Sequence, residues 1–219
     1  MKTLLNGLNQ YERSHRQRYS KQFASLAAGQ VPHTLFITCA DSRVVPNLVA
    51  SAQPGELFVV RNIANLVPPC GDSLDASVQA AVAYAVEQLG VTDIVVCGHS
   101  GCGGIRALLT RPPTDDSLGK WLQHAEPALS AVRTHGPMDP HRPVHDQVSQ
   151  ASALHQLQHL LTYSSVAERV KAGALNLHAF WFDIASGQVL AYCRNEQRYI
   201  PAVEVLARRC GDDSARRVA

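Results

Sequence analysis

An α/β fold with a mainly parallel central sheet flanked by helices is what this 219-residue sequence predicts, on three observations. Short apolar runs without polar alternation stand at Thr34–Thr38, Leu57–Arg61 and Asp93–Cys97, the signature of strands covered on both faces. An alanine-rich segment, Leu74–Leu89, separates the second run from the third with helical spacing and ends at Gly90, a strand–helix–strand unit. The first and third runs each lead directly into a turn rich in chemistry-bearing side chains, as at the carboxyl edge of a parallel sheet.

The elements follow in chain order. Leu5, Leu8, Phe23 and Leu26 recur at helical spacing across Leu4–Ala28, and the basic run from Arg13 to Lys21 there reads as a solvated face. Pro54-Gly55 signals a turn before the second strand. Beyond the third strand, Ser117–Val132 and Val144–Leu161 read as helices separated by a Pro- and His-containing loop at Gly136–Pro143. Leu175–Ile184 and Gln188–Tyr192 flank Ala-Ser-Gly as a strand and its hairpin return. We expect one domain over 1–219, with about residues 1–30 a helical arm and about 208–219 a frayed tail.

Composition narrows the function classes. Apolar residues make up 46% and charged residues 17%, enough for a buried core and against wholesale disorder. A net charge of +2 argues for neither a nucleic-acid partner nor an anionic membrane. Met1–Leu8 lacks the long apolar run of a signal peptide, and no apolar stretch approaches ~18 residues, so the expected location is the cytoplasm. Six cysteines spread thinly over such a chain point to metal binding or isolated thiols, with Cys193 and Cys210 read as buried or tolerated lone thiols. No C-x-x-C pair exists to support thiol redox chemistry.

The chemistry concentrates after the first and third strands. Cys39 opens Cys-Ala-Asp-Ser-Arg, and His99 and Cys102 stand three apart in a Gly-rich strand-to-helix turn. Thiolate and imidazole suit zinc, and three protein ligands would leave one tetrahedral vertex open, the catalytic pattern. Asp41 and Arg43 read either as a turn-capping Asp with a surface Arg, or as a pair in which the guanidinium fork keeps a carboxylate ionised and aimed. Cys97, on the strand itself, reads as core.

Cys39-Ala-Asp-Ser-Arg43 together with His99-Ser-Gly-Cys102 resembles the paired signature of the β-class carbonic anhydrases. The stretches Pro54–Pro69 and Gly98–Leu109 are similar to the plant-type and related bacterial branch, and the likeness spans roughly Leu4 to Pro201. It implies one zinc ion per chain on Cys39, His99 and Cys102, with Asp41 and Arg43 as the catalytic dyad. Phe58, Ile63 and Tyr84 would line an apolar substrate pocket, and Gln30 would reach into a neighbouring subunit's site. The implied activity is reversible hydration of carbon dioxide to bicarbonate and a proton through zinc-bound hydroxide. The implied assembly is a homodimer, or a tetramer or octamer built from it, with the Leu4–Ala28 arm packed on a partner.

Two thiolates cancel the formal charge of the dication, so activity is expected to rise above neutral pH. Some members of the family close the site by moving the Asp onto zinc, promoted by bicarbonate at a Trp, an Arg and a Tyr. Arg61 matches that Arg, but Phe36 occupies the Trp position, which favours the open, unregulated form. The histidines from His124 to His159 read as exposed side chains rather than a proton relay. Two rival readings share the motifs: hydrolysis of carbonyl sulfide or carbon disulfide, and a silent zinc assembly or sensing module. Intact Asp41, Arg43 and Gln30 speak against the second, since a structural site needs none of them.

Overall fold

The computed structural model describes residues 1–72, 76–110 and 114–207, the side chains of 206 and 207 excepted. Leu74, Cys210 and the expected tail at 208–219 lie outside the described residues. Six strands form one sheet in the order β2-β1-β3-β4-β5-β6: β1 Thr34–Cys39, β2 Leu57–Asn62, β3 Asp93–His99, β4 Asn176–Asp183, β5 Gln188–Cys193 and β6 Arg198–Pro201. The first four pair in parallel and the last two antiparallel, so the expected mainly parallel sheet and the hairpin return are both present.

The helices are α1 Lys2–Gln10, α2 Arg16–Leu26, α3 Pro46–Val49, α4 Ala76–Ala83, α5 Gly103–Thr110, α6 Ser117–Leu122, α7 Glu126–His135, α8 Val144–Leu160, α9 Ser164–Lys171 and α10 Ala202–Ala207. A π-helical turn, Tyr11–His15, joins α1 to α2, and another, Tyr84–Gln88, extends α4. The segment expected as one helix over Ser117–Val132 is instead two, broken at a 3₁₀ turn over Gln123–Ala125. Pro127 enters α7 in its first turn, where its missing N–H costs nothing; inside a longer helix it would remove a bond.

Alternation along β1 divides the packing. Leu35 and Ile37 join the main core with Val82, Val86, Leu157, Leu160 and Trp181, whereas Phe36 packs on the other face with Val95 and Cys97. Each buried aliphatic side chain contributes about 1.5–3 kcal/mol. β1 and β3 are covered along both faces, as read from their unbroken apolar runs. β2 is the sheet edge and leaves Val59 37% exposed, because only one of its flanks pairs. Every residue of α1 is exposed, Leu4, Leu5 and Leu8 included. At the other end of the arm, Gln22 Nε2 donates to the Pro54 carbonyl at 3.3 Å and Leu26 lies against Gly55. Cys193, read as a lone thiol, is buried on β5 and disulfide-bonded. Among the described residues, no helix is long and apolar enough to cross a membrane.

Candidate active site

β1 and β3 lie side by side with Thr34 opposite Asp93 and Thr38 opposite Cys97. The Thr38 hydroxyl ties them by donating to the Cys97 carbonyl at 2.9 Å. That register brings Cys39, the last residue of β1, beside His99, the last of β3, and the following turn folds Cys102 back to them. The ligand atoms of Cys39, His99 and Cys102 lie within 4.8 Å of one another, and all three residues are buried. Their surroundings are apolar, with Ala64, Leu66, Ile105, Leu122 and Val148 in the same cluster.

The donors suit a borderline-soft cation. His99 Nδ1 donates to the Ser100 carbonyl at 3.0 Å, which fixes the ring proton there and leaves the Nε2 lone pair free to bind. Nε2 is buried with no hydrogen-bond partner, a costly state that a metal ion relieves. The Cys39 thiol is pulled down to about 4, chiefly by the Cys102 thiol donating to it, with the His99 ring beside it. Cys102 is pushed up, because a second thiolate against Cys39 is disfavoured and the group is buried. Two thiols sharing one proton readily bind a cation that displaces it. Cys97, read as core, is fully buried on β3, and burial pushes its thiol up to about 12.

Asp41 and Arg43 form a pair, and Asp41 also caps its own turn. Arg43 Nε donates to Asp41 Oδ1 at 2.9 Å and Nη2 to Oδ2 at 2.7 Å, while the Arg43 backbone N–H also reaches Oδ1. The guanidinium holds the Asp41 carboxyl well below the usual carboxylate range. Asp41 Oδ2 lies 3.9 Å from His99 Nε2, at the edge of the metal group. Arg61 is exposed, but its guanidinium turns to the metal-bearing loop. Its Nη2 donates to the Asp41 carbonyl at 2.7 Å and its Nε to the Cys39 carbonyl at 3.2 Å, clamping the loop that carries both residues. Phe36 is buried.

Phe58 and Tyr84 pack with ring centroids 5.8 Å apart, and Tyr84 remains 47% exposed. Ile63 opens the short turn after β2, 44% exposed, with Ala64 and Asn65 in the left-handed region at φ 63° and 52°. Asn62 holds that turn by accepting from the Leu66 N–H at 2.9 Å, and Trp121 Nε1 donates to the Ile63 carbonyl at 2.8 Å. The turn sits so close to α5 that a Cβ on Gly104 would meet Ile63 Cγ2 at 2.8 Å and the Ala64 Cβ at 2.9 Å. Gln30 is exposed in the loop between α2 and β1.

Two supporting residues escape sequence reasoning. Asp146, buried on α8, accepts from the Gly101 N–H at 2.7 Å and so braces the His99–Cys102 turn. Ser149, one turn on, donates to the His99 carbonyl at 3.1 Å and accepts from Trp181 Nε1 at 3.1 Å. Buried polar residues on a helix carry no periodic signal; a carboxylate two residues inside a helix start reads as ordinary dipole complementarity.

A sequence profile of the carbonic anhydrase family matches residues 34–189. The chain is 39% identical over 206 residues to a carbonic anhydrase of Pseudomonas aeruginosa, covering 93% of each. It is 31% identical over 215 residues to one of Helicobacter pylori, covering 95% of this chain and 97% of that relative. Among solved structures, the β-carbonic anhydrase CcaA superposes with a TM-score of 0.83 at 33% identity, covering 92% of this chain and 91% of that one. A tetrameric β-carbonic anhydrase of the fungus Sordaria macrospora gives 0.75 at 29% identity over 86% and 94%. With a buried Cys-His-Cys group gathered at the ends of its central strands, the chain belongs to the β-carbonic anhydrases, zinc enzymes that hydrate carbon dioxide to bicarbonate.

Proposed function

We propose that Cys39, His99 and Cys102 hold the zinc ion, that Asp41 and Arg43 are the catalytic dyad, and that the working unit is a homodimer. The observation that carries this reading is the buried Cys39–His99–Cys102 group, its Nε2 unpartnered, beside a carboxylate locked bidentately by arginine. Bound there, zinc supplies a Lewis acid that makes a water molecule nucleophilic near neutral pH.

The chain's own residues do the rest. Arg43 holds both Asp41 oxygens, so the carboxylate stays ionised and cannot rotate without breaking two charge-assisted bonds. With the metal bound, Asp41 Oδ2 would accept a hydrogen bond from the attacking water and so leave a lone pair of the water oxygen directed at the substrate carbon. Phe58, Ile63 and Tyr84 supply the apolar wall on which carbon dioxide rests. The two thiolates bring negative charge to the site, so hydration strengthens as pH rises above neutral. Arg61 already serves the Cys39 and Asp41 carbonyls, which supports an open site with no second anion bound at that guanidinium.

The dimer rests on the exposed leucines of α1 and on the exposed Gln30, which the partner subunit's site would receive. The deciding experiment is stopped-flow carbon dioxide hydration with zinc quantified, Cys39→Ser measured alongside. Fast turnover with about one zinc per chain, both lost in the variant, is the expected result. A zinc-loaded wild type that is silent from pH 7 to 9 would overturn these assignments.

A further inference from the structure

Of the histidines from His124 to His159, His135 and His141 are exposed as the sequence implies, but the others are not. His124 is buried, and His155 and His159 are half-buried on α8. His155 and His159 are four residues apart and share one helix face. Their Nε2 atoms stand 3.2 Å apart. His159 Nδ1 donates to the Val67 carbonyl at 2.6 Å, so its proton is fixed on that nitrogen and its Nε2 offers a lone pair towards His155.

We propose that His155 and His159 form a second metal site, a two-imidazole chelate for a divalent cation of the copper or nickel class, separate from the catalytic group. The ring geometry is bent, as a chelate needs. A head-on N–H···N contact of this length keeps the nitrogens in line between the rings, with centroids about 5.5 Å apart. The observed centroids are 4.6 Å apart with ring planes at 73°, so the two rings are bent off the line joining the nitrogens. With metal–nitrogen bonds of about 2.1 Å, ligands at a right angle have nitrogens about 3.0 Å and centroids about 4.6 Å apart. A tetrahedral pair needs about 3.4 Å and about 5.3 Å. The centroid spacing matches the right-angled pair and the 3.2 Å nitrogen spacing lies between the two, while divalent-metal affinity for imidazole rises through Ni²⁺ to Cu²⁺.

The surroundings suit a cation as well. Burial and the neighbouring His159 ring lower the pKa of His155, which keeps it a neutral donor. The Val67 carbonyl is the outer partner that metal-bound imidazoles usually have. His124 packs edge-on against His159, centroids 6.3 Å apart, and limits its swing. His155 also lines a cavity of about 560 Å³ with His135, Met138 and Gln158.

The test uses the zinc-loaded full-length enzyme. Calorimetric titration with Ni²⁺ should show one site per chain, and His155→Gln should weaken it at least tenfold while His135→Gln leaves it unchanged. One equivalent of Cu²⁺ should give an electron paramagnetic resonance spectrum with coupling to two imidazole nitrogens, falling to one in the His155→Gln protein. His159→Gln also removes the Val67 bond, so His155→Gln is the deciding variant, its thermal melt confirming the fold. No saturable Ni²⁺ binding, or equal binding by wild type and His155→Gln, would overturn the proposal. Loss of zinc in step with nickel uptake would overturn it too, since the cation would then have entered the catalytic group.

Discussion

Replacing Arg43 by lysine keeps a positive charge beside Asp41 and removes the fork that orients it. In the native pair Nε and Nη2 take one carboxylate oxygen each, at 2.9 and 2.7 Å. Charge-assisted bonds of this kind contribute about 1.5–3 kcal/mol when sheltered. The Arg43 side chain is 51% exposed, so solvent screening leaves the pair little share in the stability of the fold. Orientation is another matter, because an ammonium can engage one oxygen and leaves the carboxylate free to turn. A carboxylate that no longer aims its acceptor should cost at least tenfold in kcat/KM, about 1.4 kcal/mol of transition-state stabilisation. The assay is stopped-flow hydration on Arg43→Lys at full zinc occupancy, with a thermal melt on the same sample. The expected outcome is a nearly unchanged melt and at least a tenfold loss of rate. A variant within twofold of wild type would refute the claim that the fork, rather than the charge, is what Asp41 needs.

Asp146→Ala strands the buried Gly101 N–H, at a cost of about 1–3 kcal/mol, and should hasten zinc loss to a chelator. Asp146→Asn keeps an acceptor oxygen and should recover most of it, which zinc-release kinetics on the two variants would show. Gly104→Ala drives a methyl into Ile63 and Ala64, at 2.8 and 2.9 Å, and should destabilise by about 1–3 kcal/mol; an unchanged denaturant midpoint would contradict the packing. Asp93 accepts from His178 Nε2 at 2.8 Å, which holds its carboxyl below the usual range. A depressed carboxylate stabilises the fold above its unfolded pKa of about 3.9 and loses that contribution as pH falls through its folded value. Wild type should therefore lose more Tm than Asp93→Asn between pH 6 and pH 3.

Much of this architecture is legible before any coordinate is known, for specific reasons. β1 and β3 are short β-branched runs closed by Cys39 and by the Gly98–Gly104 turn, and a covered parallel strand has no other common sequence form. The metal group follows, since both motifs end adjacent strands. The break between α6 and α7 is signalled only by Pro127, a weaker cue than the apolar spacing running through it. β6, four residues long after a turn, falls below the length at which alternation can be read. The interior of α8 is the clearest loss. It buries Asp146, Ser149, Gln150, Ser152 and Gln156, so its core-facing stripe is written in polar letters. Gln156 there accepts from the Val67 N–H at 2.9 Å and donates to the His124 carbonyl at 3.1 Å, bonds between partners far apart in sequence.

The alignment of β1 with β3, Thr34 opposite Asp93, ties assembly of the candidate metal group to correct pairing of the sheet. Its ligands come from strands 59 positions apart in this register, so no local segment of the nascent chain can gather them. Slipping β1 by one residue would turn Cys39 to the opposite face and leave two ligands without a third. Loading is therefore a step that only a correctly paired sheet can complete, after a slow, non-local stage of folding. Zinc content then reports on strand alignment as well as on catalytic capacity, and an ion held tightly marks a chain whose central strands have found each other.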